Sequence, residues 1–262
     1  MSITRLPLPG PTRETLAHRQ RIDWHDHAVN QLISPGIGVL VVSTPTGTWA
    51  VPPHRAVWIP AGVAHAHEAH GPSEMRTLCF AADVNPLRLD RPTVLAVSPL
   101  LREIVAVLTG AAHSTDGTSP DLPPDLPHEQ RRNLERVALD QLQRVEALPL
   151  GLPAPRDARL RDVAALLTAD PGDGRTLAEL GAAVGASERT LSRLFRAETG
   201  MSFPQWRAQL RLHHSLRLLA GGAPVTSVAA ACGYATPSAF IESFRRAFGT
   251  TPGAYRGGGA HT

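Results

Sequence analysis

The chain has 262 residues, of which 42% are hydrophobic and 19% charged, enough apolar content for one large or two small packed domains. It contains no run of eighteen apolar residues, and Met1 to Gly10 lacks the apolar stretch of a secretory signal, so neither a membrane span nor export is expected. Two cysteines in separate regions, Cys79 and Cys232, give no disulfide framework and fit a reducing, cytoplasmic setting.

Residues 21–95 hold short apolar runs separated by turn residues: Gly36-Ile-Gly-Val-Leu-Val-Val42, Thr48-Trp-Ala-Val51, Ala56-Val-Trp-Ile59 and Arg76-Thr-Leu-Cys-Phe80. Closely spaced β-rich runs of this kind read as an antiparallel barrel or sandwich. His25 and His27 are two apart, which puts both on one side of a strand. His65 follows Pro60-Ala-Gly62-Val-Ala, while His67 and His70 read as exposed loop residues. Trp49 and Trp58 alternate with apolar neighbours and are either core or pocket-lining. Leu100, Leu101, Ile104, Val105 and Leu108 then recur at helical spacing over 99–108, and residues 110–127 are Gly-, Ser-, Pro- and Asp-rich, as in a loop. A second helix is predicted over 130–148. Its stripe of Leu134, Val137, Ala138, Leu142 and Val145 either packs on its own barrel or makes a dimer contact. Pro149-Leu-Gly-Leu-Pro-Ala-Pro155 breaks that helix and reads as the linker. The expected domains are 1–97, 98–155 (helices, loop and linker, with a dimerisation role open) and 156–262.

Net charge is only +3, but it is unevenly placed. From Arg156 onward thirteen Arg face eight Asp plus Glu, whereas the first 155 residues carry thirteen Arg against fifteen acids. The basic half is C-terminal and points to a polyanion there. The same half repeats itself. Leu177-Ala-Glu-Leu-Gly-Ala-Ala-Val-Gly185 and Val225-Thr-Ser-Val-Ala-Ala-Ala-Cys-Gly233 share apolar residues at positions one, four and eight and a terminal Gly suited to a left-handed turn. Each continues into a second helix. The first is capped by Ser187 and carries Leu191, Leu194 and Phe195 on one face, with Arg189, Arg193 and Arg196 on the other. Such arginines suit phosphates and guanine edges in a major groove. The second runs from Thr236 or Pro237 to Phe248, with Phe240, Phe244, Ala247 and Phe248 inward and Ser238, Glu242 and Arg245 outward. Glu242 opposes phosphate, so it must accept from a cytosine amine or be held by an arginine. Between the units, 203–219 reads as one helix carrying Arg207, Arg211 and Arg217, which sets the distance between two readers of adjacent major-groove faces.

These motifs resemble the AraC/XylS family of bacterial regulators over roughly residues 156–256. The resemblance rests on Leu180-Gly-Ala-Ala-Val-Gly-Ala-Ser187, Leu194-Phe-Arg196, Glu198-Thr-Gly200, Val228-Ala-Ala-Ala-Cys-Gly-Tyr234, Phe244-Arg245, Phe248-Gly249 and Pro252-Gly-Ala-Tyr-Arg256. It implies a seven-helix domain that binds specific double-stranded DNA and activates or represses nearby genes, with RNA polymerase as a further partner and a homodimer as the assembly. It also implies base-contacting roles for Arg189, Ser192 and Arg193 in the first reader and for Ser238, Ile241 and Glu242 in the second. Ser187, Thr190, Arg196 and Arg245 complete the candidate DNA surface. Pro237 and Glu242 depart from the polar or basic residues often found there.

In the front domain, His25-x-His27, Gln31 and Pro60-x-Gly62-x-x-His65 resemble the two motifs of the cupin barrel. In cupin enzymes the corresponding positions are two His, a Glu and a His around a metal, and here Gln31 stands for the Glu. The implied fold is an all-β cupin-like barrel with accessory helices, followed by an all-α domain with two helix-turn-helix units. The candidate effector pocket comprises His25, His27, Gln31, Trp49, Trp58 and His65, for a small organic effector or for a divalent metal on His25, His27 and His65. No catalytic acid or nucleophile cluster accompanies them, so an enzyme is not expected. The alternatives are a cupin-type metalloprotein or enzyme with an appended DNA-binding domain, and a metal-responsive regulator.

Overall fold

The structure, a computed structural model, describes residues 3–8, 10–110, 126–143, 147–148 and 151–257. It divides into two compact units, one chiefly of Met1–Thr44 with Val51–Pro149 and the other of Pro45–Ala50 with Leu150–His261.

The first unit is built on a β-sheet in which β1 (Thr4–Arg5), β3 (Arg21–Asp26), β7 (His65–Phe80), β4 (Asn30–Thr44), β6 (Arg55–Ile59), β8 (Thr93–Ala96) and β9 (Ala147–Leu148) lie in that order, with β2 (Thr12–Leu16) also paired to β7. The two long strands β4 and β7 run antiparallel from Asn30↔Phe80 to Ser43↔Ala66, with register shifts around Pro35, Ile37 and Val39. A bulge is where a central strand tolerates proline. Gly38 bends the chain there at φ +75, and a Cβ on it would lie 2.2 Å from Ser73 Oγ, so only glycine fits.

Helices α1 (Pro99–Leu108) and α2 (His128–Gln143) cover one face of this sheet. Ser98 caps α1 by accepting from the Leu101 N–H, and Pro99 occupies the first turn, where its missing donor costs nothing. Leu101, Ile104, Val105 and Leu108 of α1, with Ala138 and Leu142 of α2, form one core with Leu32, Ala56, Trp58, Leu78, Phe80 and Leu95. The α2 stripe thus packs on its own unit through Leu134, Ala138 and Leu142, while Val137 is exposed. Val145 lies outside the described residues, as does most of the loop expected at 110–127.

Two elements differ from expectation. The helix predicted to reach residue 148 ends at Gln143, and Ala147–Leu148 instead pairs with Leu95 and Val94 of β8. The Pro- and Gly-rich stretch read as a linker contains β10 (Gly151–Pro153), antiparallel to β5 (Gly47–Val51) with Gly151 opposite Trp49. Pro153 is tolerated because it ends the strand.

The second unit contains seven helices among the described residues: α3 (Ala158–Ala169), α4 (Leu177–Ala183), α5 (Glu188–Thr199), α6 (Phe203–Ala220), α7 (Val225–Ala231), α8 (Pro237–Phe248) and α9 (Pro252–Gly257). The β-rich front and all-α back expected from the sequence are therefore present. The duplication is exact in length: α4 and α7 have seven residues each, α5 and α8 twelve. Gly185 and Gly233 both take φ +68 in the turns, and Gly200 and Gly249 take φ +71 and +75 after the second helices. Gly181 lets the first turn close, since a Cβ there would lie 2.4 Å from the Ala186 carbonyl oxygen.

The first repeat packs Phe195 and Leu191 of α5 against Leu160, Val163 and Leu167 of α3, Leu177 and Leu180 of α4, and Phe203, Trp206 and Leu210 of α6. The second is held by aromatic rings, with Phe244 lying 5.7 Å from Phe240, 4.6 Å from Phe248 and 5.6 Å from Tyr255. The Glu198 carboxylate at the end of α5 accepts from the backbone N–H groups of Arg156 and Asp157, tying the start of α3 to α5.

Candidate nucleic-acid interface and histidine cluster

Helix α5 is strongly two-sided. Leu191 and Phe195 are buried, whereas Ser187, Arg189, Ser192, Arg193 and Arg196 are exposed and Thr190 is half-buried. Ser187 Oγ accepts from the Thr190 N–H at 3.2 Å, and its hydroxyl also meets Thr190 Oγ1 at 2.9 Å, so the start of α5 is fixed. Arg189, Thr190, Ser192, Arg193 and Arg196 line one open concave patch. Among the described residues none of these three guanidiniums makes a side-chain hydrogen bond or ion pair.

The arginines of α6 behave differently. Arg207 donates to the Arg175 carbonyl and lies 4.8 Å over the Phe203 ring, and Arg211 donates to the carbonyls of Pro171 and Asp173. They fasten the turn ahead of α4 to α6. Of the three predicted on this helix, only Arg217 is exposed.

On α8, Thr236 Oγ1 accepts from the Ala239 N–H, Ser238 and Glu242 are exposed, and Ile241 is half-buried. Glu242 is held by arginines, with Arg245 Nη2 at 3.0 Å and Arg246 Nη2 at 3.7 Å. The outward face of α8 thus sets one carboxylate between two arginines, whereas that of α5 carries three arginines without a side-chain partner among the described residues.

In the first unit, His25 of β3 sits directly opposite His65 of β7. Their rings are 4.3 Å apart, and His27 lies 4.9 Å from His25 and 5.5 Å from His65. One ring nitrogen of each lies within 4.8 Å of one in both others. Each Nδ1 is already engaged, His25 with the Asp23 carbonyl at 2.6 Å, His27 with Leu6 at 2.7 Å and His65 with Val63 at 2.8 Å. Nε2 is left as the free acceptor on all three rings. This is the arrangement in which imidazoles serve as metal ligands, the second nitrogen being fixed by a backbone carbonyl. Three imidazoles suit Zn, Ni, Co or Fe. Burial, helped by the neighbouring His25 and His27 and opposed by the Val63 bond, lowers His65 to about 4, and burial lowers His27 and His67 as well.

A pH dependence follows. Below 6.5 the unfolded chain takes up a proton on residue 65 that the fold excludes until about 4. Stability should therefore fall as pH is lowered from 7 towards 4 and be retained above 7. Urea unfolding of the full chain at stepped pH values checks this, and a His65→Gln variant should flatten the slope in that window. An unchanged slope in the variant would remove His65 as its source.

A helix-turn-helix domain model matches residues 180–258. The regulator NimR of Escherichia coli K12, an HTH-type transcriptional regulator, is 34% identical over 234 residues, covering 88% of this chain and 81% of NimR. The chain belongs to the AraC family of helix-turn-helix transcriptional regulators. RipA of Corynebacterium glutamicum, also an HTH-type regulator, is 41% identical over 107 residues, 41% of this chain and 32% of RipA. Among solved structures, the DNA-binding domain of AdpA in complex with a target DNA is 33% identical, covering 39% of this chain and 93% of that one, at a TM-score of 0.37.

This AraC-family chain is thus a DNA-binding transcriptional regulator. In the described residues no helix is long and apolar enough to cross a membrane. Of the candidate effector residues in the first unit, His25, His27 and His65 come together and Trp58 does not, while Trp49 falls in the second unit. Trp58 pairs with Leu32 while Gln31 pairs with Ile59, so Trp58 and Gln31 face opposite sides of the sheet. Trp58 stacks on Phe80 at 5.7 Å in the core beneath α1 and α2. Trp49 covers Gly151, where a Cβ would lie 2.5 Å from its Nε1. Gln31 is buried in β4 between Ile59 and Cys79.

The expectation that His67 and His70 are exposed loop residues is corrected, because both are buried in β7. His67 shares a side of the strand with His65 and lies 5.1 Å from it, whereas His70 falls on the other side beside Glu68, at 3.3 Å. The clue was the His65-x-His67 spacing, the same two-residue spacing as His25-x-His27.

Proposed function

We propose that this regulator reads a specific duplex site chiefly through α5, with Arg189, Ser192 and Arg193 at base edges and Ser187, Thr190 and Arg196 on the flanking phosphates, and that the β-rich unit senses a small effector through its histidine cluster. The observation that carries the reading is the contrast among arginines. Those of α6 are spent on backbone carbonyls and those of α8 on Glu242, whereas Arg189, Arg193 and Arg196 stand exposed together on the second helix of a helix-turn-helix. Exposed, uncompensated cations on that helix face are what a polyanion with readable edges requires. On α8, Ser238 and Ile241 take a supporting role, with Glu242 and Arg245 paired to each other.

The test is selection of the full chain against random duplex DNA. A reproducible enriched motif is expected, with affinity falling steeply as salt rises because phosphate contacts release counterions. A folded chain that enriches no motif would refute the reading.

A further inference from the structure

We infer that Arg211 is a positioning residue for DNA recognition. It locks the turn ahead of the first helix-turn-helix to the turn inside the second, so that α5 and α8 meet the duplex as one rigid pair with a single permitted spacing between their half-sites. The inference deepens the DNA-reading function above and rests on it.

Helix α6 sets how far apart the two repeats stand, but not how the second is rolled about it. The chain leaves α6 through Gly221-Gly222-Ala223-Pro224, with Gly222 at φ +84, and α7 begins at Val225. Two successive glycines resist rotation little by themselves, so the roll has to be fixed by contacts elsewhere. Those contacts lie between two turns. A Cβ on Gly233, in the turn of the second repeat, would fall 2.8 Å from the Gly172 carbonyl oxygen. One on Gly172, ahead of α4, would fall 3.3 Å from the Ala231 carbonyl oxygen. Backbone thus approaches backbone, and the approach depends on glycine at 233.

Arg211, from the middle of α6, closes this contact. Its Nε donates to the Pro171 carbonyl at 3.0 Å and its Nη2 to the Asp173 carbonyl at 3.2 Å. The same Nη2 lies only 2.6 Å from where a Cβ on Gly233 would stand, and Cζ lies 6.0 Å over the Tyr234 ring. Tyr234 in turn donates to Ser243 Oγ of α8 at 3.1 Å and lies 5.3 Å from the Phe240 ring. One guanidinium therefore holds the first repeat by its edge and the second by its face, and the connection runs on into α8. A planar group with several donors and a stacking face does both at once, which an ammonium does not. Arg207, one turn earlier, donates to Arg175 and lies over Phe203, both on the side of the first repeat.

The consequence is a fixed operator geometry. Each base pair inserted between two half-sites moves the second by about 3.4 Å and turns it by about 35°. Readers free to roll follow part of that turn, and a locked pair does not.

Selection from random duplex DNA supplies the two half-motifs. The full chain is then titrated against duplexes whose spacer is the selected one, one base pair shorter or one longer. The natural chain should lose at least about fivefold in affinity on either change, the equivalent of one base contact. Arg211→Ala should select the same half-motifs but lose most of that penalty. Arg207→Ala, which frees the same turn without touching the second repeat, should keep it. The penalty is a ratio within one chain, so a reduced folded fraction cancels from it. Gly172→Ala presses a methyl on the Ala231 carbonyl at a backbone angle alanine accepts, and should also lower the penalty; it decides the matter if Arg211→Ala does not fold. A natural chain that binds all three spacers equally, or selects a single half-motif, overturns the rigid pair. An undiminished penalty in folded Arg211→Ala (or in Gly172→Ala where the former is unfolded), or an equal loss in Arg207→Ala, overturns the role of Arg211. A natural chain that enriches no motif at all is instead the failure of the DNA-reading function, and the positioning role falls with it.

Discussion

Replacing Arg193 by Ala is expected to weaken binding to the selected site by about 1–3 kcal/mol, roughly 5- to 150-fold in Kd, and to relax base preference at one position. Arg193 lies between Arg189 and Arg196 on the outward face of α5, exposed and unpaired among the described residues. Nothing inside the fold is lost when it goes, so thermal stability should stay within about 0.5 kcal/mol of the natural chain. Arg207→Ala should do the reverse. Its guanidinium is hydrogen-bonded to the Arg175 carbonyl and stacked on Phe203, so stability falls while base preference is kept by whatever chain remains folded. Gel-shift titration on the selected site and on single-base variants separates the two. Equal Kd and equal base preference for Arg193→Ala would remove it from the reading surface. The second helix-turn-helix sharpens the comparison. Arg245 and Arg246 already share Glu242, so Arg245→Ala should cost less than Arg193→Ala.

The helical half was legible because its information is local. A 3.6-residue period, a capping Ser187 or Thr236 and a left-handed Gly185 or Gly233 each act within a turn or two of themselves, and the structure starts α5, α6 and α8 where those signals stand. The outward arginines of α5 were legible for the same reason. What could not be read was which arginines the fold consumes, because Arg207 and Arg211 meet carbonyls 32 to 40 residues away. The β half was legible in its apolar runs and in the His25, His27 and His65 set, whose spacings the notional strand pattern already aligned. His67 was lost because His65 to Ser73 carries Gly71 and Pro72 and little apolar content, and becomes strand only through pairing with β2, β3 and β4. Strand preference of this kind comes from neighbours across the sheet rather than from the segment itself. β10 was hidden likewise, since Gly151-Leu-Pro153 reads as punctuation until β5 lies beside it.

Phe195→Ala is expected to destabilise the second unit by about 3–5 kcal/mol, the usual cost of removing a fully buried aromatic ring and leaving its cavity. Phe195 is 0% exposed and its ring lies 5.4 Å from Phe203 and 5.5 Å from Trp206. With Leu191 it carries α5 into the core shared with α3, α4 and α6. Urea unfolding should show the loss directly, and DNA affinity should fall with the folded fraction rather than by a change in base preference. That pairing of readouts is decisive against Arg193→Ala, where affinity falls at constant stability. A Phe195→Leu variant, which keeps most of the volume, should recover both stability and binding in part. If Phe195→Ala unfolded no more easily than the natural chain, the core drawn around α5 would be wrong, and with it the rigidity that aims the arginines. If it unfolded readily yet bound DNA undiminished, α5 would not be the reading helix, and α8, with its paired Glu242, would have to take its place.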